Sequence, residues 1–144
     1  MPTLYTAIEI DAPKERVWKI LFHKEKWLYW NTFLYDRAPQ QPFEVGQEVF
    51  LSLKRVPGAE EVELQPVVTL VDSGVCLQWF SQMPGFQSEH VFELQDIGNC
   101  TKYIHQEHLS GWLTRLTLPW IRQEEQQGLR RMSRELKRYA EQRR

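Results

Sequence analysis

One short stretch, Thr101 to Leu109, gathers groups that can move protons. Tyr103, His105 and Glu107 stand two residues apart in it, so on a β-strand they share one face. The backbones of His105 and Glu107 would then lie about 7 Å apart. A carboxylate beside an imidazole raises the imidazole pKa toward neutrality, and a phenol can donate to a developing oxyanion. The chemistry such a trio could perform is acid–base catalysis at a carbonyl or hydroxyl. His90 adds a second imidazole on the preceding strand, and Ser81 a hydroxyl on the one before that. A plainer role is open to the same residues: His90 and His105 can bond to each other or to Glu107 and simply hold neighbouring strands in register. The chain has no nucleophile elbow, no glycine-rich phosphate loop and no HExxH. His23, His90, His105 and His108 form no metal-ligand spacing, and His108 has the opposite parity to His105. Neither a metal nor a cofactor is expected.

The elements that must position these groups can be followed along the chain. Thr3 to Ile10 alternates as a first strand, and Asp11-Ala12-Pro13 ends it. Proline suits the first turn of a helix, where its lacking N–H has no intrahelical partner anyway. The helix runs to about Phe22, and a second short one spans Glu25 to Trp30, closed by Asn31. Pro39, Pro42 and Gly46 mark a loop. Strands then dominate: Gln47 to Lys54, Val62 to Val71, Val75 to Gln82, Phe86 to Gln95 and Thr101 to Leu109. Between them stand the turn signals Pro57-Gly58, Asp72-Ser73-Gly74, Pro84-Gly85 and Asp96 to Asn99, and short turns between strands of this length make an antiparallel meander. The last stretch, Thr114 to Arg144, is one long helix, kinked or restarted at Pro119. Ile121, Glu125, Gly128, Met132, Leu136 and Tyr139 share one face of it. Such a stripe needs a partner surface, and the meander supplies one.

Alternation assigns the wall between sheet and helix. If Phe92 and Leu94 face the helix, so does His90. Leu77, Trp79 and Ser81 share a face, as do Val49, Leu51 and Leu53. The enclosed space is therefore expected to be lined by Trp30, Leu51, Leu53, Leu77, Trp79, Ser81, His90, Phe92, Tyr103, His105, Glu107, Gly128 and Met132. Apolar walls with a few convergent polar groups are the usual make-up of a small-molecule pocket. Glycine inside a helix costs about 1 kcal/mol relative to alanine, so Gly128 implies a bulky neighbour or a guest over that turn. The six tryptophans could also fill the space outright. Glu125 could lie at the rim.

At 144 residues, 42% hydrophobic and 26% charged, the chain fits one domain, residues 1–144, with a real core. A net charge of −1 argues against general nucleic-acid affinity. The charge is uneven: residues 122–144 hold eight Lys/Arg against four Glu, +4, leaving −5 upstream. That basic helix can be a solvated face near the negative end of the helix dipole, or can touch anionic lipid peripherally. The two cysteines, Cys76 and Cys100, have no CxxC spacing, and two buried, inert thiols in a cytoplasmic protein are expected. No signal segment is expected from the opening residues, and no apolar run in the sequence reaches membrane-spanning length.

The stretch Ile8 to Pro13, then Val17-Trp18, then Trp30-Asn31 resembles the opening of the START-like helix-grip superfamily, and more narrowly the polyketide cyclase/dehydrase and lipid-transport family, SRPBCC. Leu77-Gln78-Trp79 is similar to its "LxW" strand, Glu89 to Leu94 to its "EHxFxL" strand, and Thr101 to Gly111 to its "T…H.E…SG" strand. Gly128 to Met132, through Leu136-Lys137, resembles its closing helix. The resemblance implies an α+β helix-grip fold: a curved antiparallel sheet of six to seven strands around the C-terminal helix, two short helices after strand 1, and a ligand cavity between sheet and helix. It is far less specific for function. Three readings stay open. One is a carrier of a hydrophobic small molecule, lipid-like or aromatic and polyketide-like. Another is a cyclase or dehydratase using His105, Glu107 and Tyr103. The third is a protein-interaction module using the basic helix. The chain could act as a monomer or a homodimer.

Overall fold

The computed structural model describes residues 3–38, 40–56, 60–112 and 119–142, the side chains of 119–121 excepted. The predicted Pro57-Gly58 turn, the loop proline Pro39, the helix start at Thr114 and the Ile121 side chain lie outside them.

The elements follow in the expected order. β1 (Thr3–Ile10) leads to α1 (Lys14–Phe22) and a 3₁₀ helix (Lys24–Tyr29). Then come β2 (Leu34–Asp36), β3 (Leu51–Leu53), β4 (Val62–Leu64), β5 (Val67–Asp72), β6 (Cys76–Met83), β7 (Phe86–Asp96), β8 (Thr101–Ser110) and α2 (Pro119–Gln142). The described residues form eight strands, against the expected six to seven. The extra ones are short. Gln65-Pro66 divides one expected strand into β4 and β5, because Pro66 has no N–H to give a ladder. β2 is too brief to show alternation in the sequence.

β5 to β8 and β1 form one antiparallel sheet in the order β1-β8-β7-β6-β5, and β2-β3-β4 form a second. The two are joined beside β5, where Glu48 bridges to Val67 and Val49 N–H donates to the Pro66 carbonyl at 3.0 Å. The β6–β7 hairpin turns at Gly85, whose φ of +76° a side-chain-bearing residue rarely adopts.

Period-two burial sets the inner face. Leu77, Trp79 and Ser81 on β6, Ser88, His90, Phe92 and Leu94 on β7, and Tyr103, His105, Glu107 and Leu109 on β8 are all buried. The register lines Trp79 up with His90 and His90 with Glu107, and Leu77 with Phe92 and Phe92 with His105.

α2 lies across this face. Leu129, Met132, Leu136 and Ala140 are fully buried along it. Polar bonds clamp the helix at both sides. Gln126 brackets the β1 edge, accepting from Tyr5 N–H at 3.1 Å and donating to the Tyr5 carbonyl at 2.7 Å. Further along, Lys137 donates to the Glu9 carbonyl at 2.8 Å. Opposite, Arg131 donates to the carbonyls of Lys54 at 2.7 Å and Arg55 at 3.1 Å, and Glu135 accepts from Thr32 N–H at 2.9 Å. Arg130, Arg134 and Arg138 are exposed. No helix among the described residues is long and apolar enough to cross a membrane.

The chain between α1 and β3 packs its aromatics under the helix. Asn31 Oδ1 accepts from the N–H groups of Phe33 and Leu34 at 2.9 and 2.8 Å, and this turn drives Phe33 into the core. Gly128 is its counterpart on α2: a Cβ there would run into the Phe33 ring. The bulky neighbour that the sequence implied is thus a side chain of the protein. Lys24 and Asp36 pair at 2.6 Å with side chains 3% and 2% exposed, tying the 3₁₀ helix to β2. Cys76 and Cys100 are free but only half-buried, a correction to the expectation of two buried thiols: both sit at the ends of the sheet, where strands run out to turns.

Two outcomes follow. Gly128→Ala should lower stability by about 1–3 kcal/mol despite the better helix former, because the fully buried Phe33 has nowhere to go, and urea denaturation measures it. Asp36→Ala should cost about 3–5 kcal/mol, because it strands the buried Lys24 ammonium, whereas the apolar replacement Lys24→Met should cost clearly less in the same assay.

Candidate functional site

The interior divides into a dry end and a hollow end. Toward the C-terminal half of α2 the aromatics close the space. Phe43 stacks on Trp79 with centroids 5.6 Å apart and planes 18° apart. Trp27 lies 6.3 Å from Trp79, and Phe92 lies 4.7 Å from Trp79 and 4.2 Å from His105. Trp27 Nε1 donates to the Leu21 carbonyl at 3.0 Å, so even its polar tip is satisfied.

Toward the N-terminal half of α2 a cavity of about 290 Å³ remains, near the lower end of typical small-molecule sites. The small sheet gives it Leu53, Val62 and Leu64, with Arg55 just beyond β3. The large sheet gives Ser81, Met83, Phe86, Ser88, His90, Glu107 and Leu109, and α2 gives Arg122 and Glu125. Apolar groups form most of the wall, and the polar ones converge on one side.

That polar side is a chain of contacts. His90 Nε2 lies 3.3 Å from Glu107 Oε2, and Ser88 Oγ donates to the same oxygen at 2.5 Å. His90 Nδ1 is 3.1 Å from His105 Nε2, and His105 Nδ1 is 3.4 Å from the Tyr103 hydroxyl. On the helix side Arg55 Nε donates to Glu125 Oε1 at 2.9 Å. One ligand-capable atom each from His90, Glu107 and Glu125 lies within 4.8 Å of the others.

The two carboxyls are driven in opposite directions. Burial alone would raise Glu107, but the charge and hydrogen bond of His90, with bonds from Glu125 and Ser88, outweigh it and hold Glu107 well below the usual carboxylate range. Burial raises Glu125 well above it, the Glu107 charge adds to the rise, and Arg55 offsets only part. The opposed shifts favour the proton on Glu125 and the charge on Glu107, an arrangement that separates proton donor from acceptor.

The sequence-predicted residues fall into two groups. Leu53, Ser81, His90 and Glu107 lie on the cavity wall. Trp30, Leu51, Leu77, Trp79, Phe92, Tyr103, Gly128 and Met132 do not line it. They pack in the core or, for Gly128, against Phe33. His105 is fully buried behind His90. Burial, then the neighbouring His90, pushes its pKa well below the ordinary imidazole value, and Glu107 offsets this only in part. That corrects the expectation of a histidine raised toward neutrality: desolvation outweighs a carboxylate that bonds to His90 instead. Burial likewise pushes Tyr103 well above the ordinary phenol value. The trio on β8 is thus split. Glu107 reaches the cavity, while His105 and Tyr103 support His90 from behind.

Sequence reasoning passed over Ser88 and Leu109, although they share parity with His90 and Glu107. It also passed over Arg55, Val62, Leu64, Met83, Phe86 and Arg122, and left Glu125 at the rim. Glu125 is 5% exposed.

A twisted antiparallel sheet gripping a C-terminal helix, with a cavity between them, defines the START-like helix-grip fold, and this chain adopts it. The chain is similar to a START superfamily protein from Mycobacterium smegmatis, with a TM-score of 0.72, 16% identity and 97% of each chain covered. It is also similar to DynU16, a putative protein in the dynemicin biosynthetic locus, with a TM-score of 0.73 and 16% identity over 96% of this chain and 47% of that one. The di-domain ARO/CYC BexL from the BE-7585A biosynthetic pathway matches with a TM-score of 0.74 and 13% identity, over 98% of this chain and 47% of its own. The chain thus spans about half the length of the latter two. No family model and no curated protein matches the sequence.

If Trp79 and Phe92 are core, truncating either should cost about 3–5 kcal/mol. Trp79→Ala and Phe92→Ala, followed by urea denaturation, should both show losses in that range. A loss below about 1 kcal/mol would mark them as pocket wall with little to pack against.

Proposed function

We propose that this protein binds a small, mainly apolar molecule carrying one oxygen-rich end. The observation that carries this reading is the placing of unpartnered polar atoms. Ser81 Oγ, Glu107 Oε1 and Arg122 Nε are buried without a hydrogen-bond partner, as are atoms of Trp30, Asn31, Ser52 and Trp79 elsewhere in the core, but these three residues line one and the same cavity. Buried polar groups left unpaired cost about 1–3 kcal/mol each, so a guest that pairs them gains affinity along with the burial of its apolar part. Glu107 asks for a donor, Arg122 for an acceptor, and Ser81 takes either. A hydroxyl with a carbonyl or carboxylate near it meets all three demands. The fold supports such a role, since two structural neighbours come from biosynthetic loci or pathways and a third is a START superfamily protein.

A second reading, an enzyme of cyclase or dehydratase type, is favoured by one specific observation. Glu125 and Glu107 converge on the cavity wall with their pKa values driven up and down respectively, so a guest seated there would meet an acid and a base together. The residues to carry it are then Glu107, Glu125 and His90, in place of the Tyr103–His105 pair.

Native mass spectrometry of the purified protein, with titration of an apolar fluorescent probe, tests the binding reading. One probe should bind per chain. Leu109→Trp and Leu64→Trp, which fill the cavity, should weaken binding by at least about tenfold, or about 1.4 kcal/mol, with the melting temperature little changed. Equal binding by wild type and both filled variants would sink the proposal. For any guest that is turned over, Glu107→Gln should lower kcat by a factor of about 10²–10⁴. A carrier should show a change in affinity alone.

A further inference from the structure

We propose that His90, Glu107 and Glu125 form a site for one divalent first-row metal ion, zinc foremost, on the polar wall of the cavity. The inference deepens the binding reading and rests on it in one respect: the ion's open side would face the guest.

The argument begins with the donor set. An imidazole nitrogen and two carboxylates are sufficient ligands for zinc, with a fourth position left open as in sites that take water or substrate. The three side chains come from β7, β8 and α2, and their ligand atoms converge within 4.8 Å. His90 Nε2 and Glu107 Oε2 are already 3.3 Å apart, the edge length expected around an ion with bonds of about 2.0–2.1 Å. All three residues are buried.

A second observation points to a ligand independently. Glu107 is 3% exposed, and its Oε1 has no hydrogen-bond partner within normal geometry, while Ser88 and His90 both address Oε2 and the Glu125 carboxyl is the other group that interacts with it. The oxygen left over belongs to the residue that stands between His90 and Glu125 on the cavity wall.

The surroundings orient the imidazole as metal sites do. A ligating histidine usually gives its other N–H to a fixed acceptor, which sets the tautomer. Here His90 Nδ1 meets His105 Nε2 at 3.1 Å, and Tyr103 holds His105 from behind at 3.4 Å. An ion entering the site displaces the proton between His90 Nε2 and Glu107 Oε2; with the remaining proton on Nδ1, the lone pair of Nε2 then points at the carboxylates. This gives His105 and Tyr103, shut out of the cavity, a positioning role.

Arg55 is the competing cation. Its Nε bonds Glu125 Oε1 at 2.9 Å, and its side chain is 30% exposed, so it can swing to solvent when an ion enters. A proton shared by the two carboxyls is the other competitor, and the experiment separates it from a metal.

Protein stripped with a chelator is titrated with zinc chloride at pH 7.5 by calorimetry, and with cobalt(II) followed by its visible absorption. One ion per chain is expected, with the intense absorption of a four-coordinate cobalt site. Glu107→Gln and Glu125→Gln should each weaken binding by about 100-fold or more. Arg55→Ala should tighten it by about tenfold or more, because a nearby positive charge is removed; its melting temperature is measured alongside, since the change also takes the partner from the buried Glu125. No saturable binding by wild type, or affinity unchanged in all three variants, overturns the metal site. The apolar probe is titrated in parallel on the stripped protein: retained probe binding without metal binding sinks only this inference, and loss of both sinks the cavity reading as well.

Discussion

The inner face of α2 changes chemistry at Gly128, and the layout of the molecule follows from that change. Beyond it, Leu129, Met132, Leu136 and Ala140 offer only hydrocarbon and a thioether to the sheet. Before it, Glu125 and Arg122 face inward. A helix with one apolar half and one polar half cannot be packed uniformly against a sheet. The apolar half is matched by Trp27, Trp30, Phe33, Phe43 and Trp79, and the space there closes. The polar half is not matched by bulk, because a buried carboxyl and guanidinium need partners of their own kind. The sheet supplies Ser88, His90 and Glu107, small or slender groups that leave room. Gly128 is the seam, since Phe33 occupies the volume that a side chain there would take.

The strands cooperate through register. In an antiparallel pair, directly opposed residues on one face are neighbours, so Trp79, His90 and Glu107 form a row across β6, β7 and β8. That row crosses the boundary between the two ends. Trp79 belongs to the aromatic pack, Glu107 to the cavity, and His90 touches both, 5.6 Å from the Trp79 ring and 3.3 Å from the carboxylate. The low dielectric on the aromatic side drives His105 neutral, and the charges on the other side keep Glu107 ionised. The same few ångströms separate two electrostatic regimes.

Much of the fold was legible in the sequence because it rests on local periods. The alternation in β6 to β8 and the three- and four-residue steps in α2 needed no tertiary knowledge and gave the order of strands and helices, while the α+β helix-grip architecture was implied by the family resemblance. The short strands were less visible: β2 and β4 are three residues each, below the length at which alternation means anything. The candidate site was legible only in part, for a physical reason. Parity tells which face a residue is on, but not how far along that face the space is filled. Trp79, Phe92 and Leu77 share a face with Ser81, His90 and Glu107, and it is Phe33, Phe43 and Trp27, arriving from loops and the 3₁₀ helix, that bury the first group. Glu125 looked marginal because a carboxylate in an apolar stripe is ordinarily at a rim; Arg55, far away in sequence, is what admits it inside.

The bracket that Gln126 places on Tyr5 has a further meaning. An edge strand offers unpaired amides and carbonyls to any passing chain, and a primary amide side chain reproduces one rung of such pairing. Lys137 on the Glu9 carbonyl and Glu141 on Asp11 N–H, at 2.8 Å each, extend that cover along β1. The helix therefore acts toward β1 as a counterfeit strand. Recruitment of a second molecule at that edge would require these α2 contacts to break first, so the helix that roofs the interior also covers an edge of the sheet.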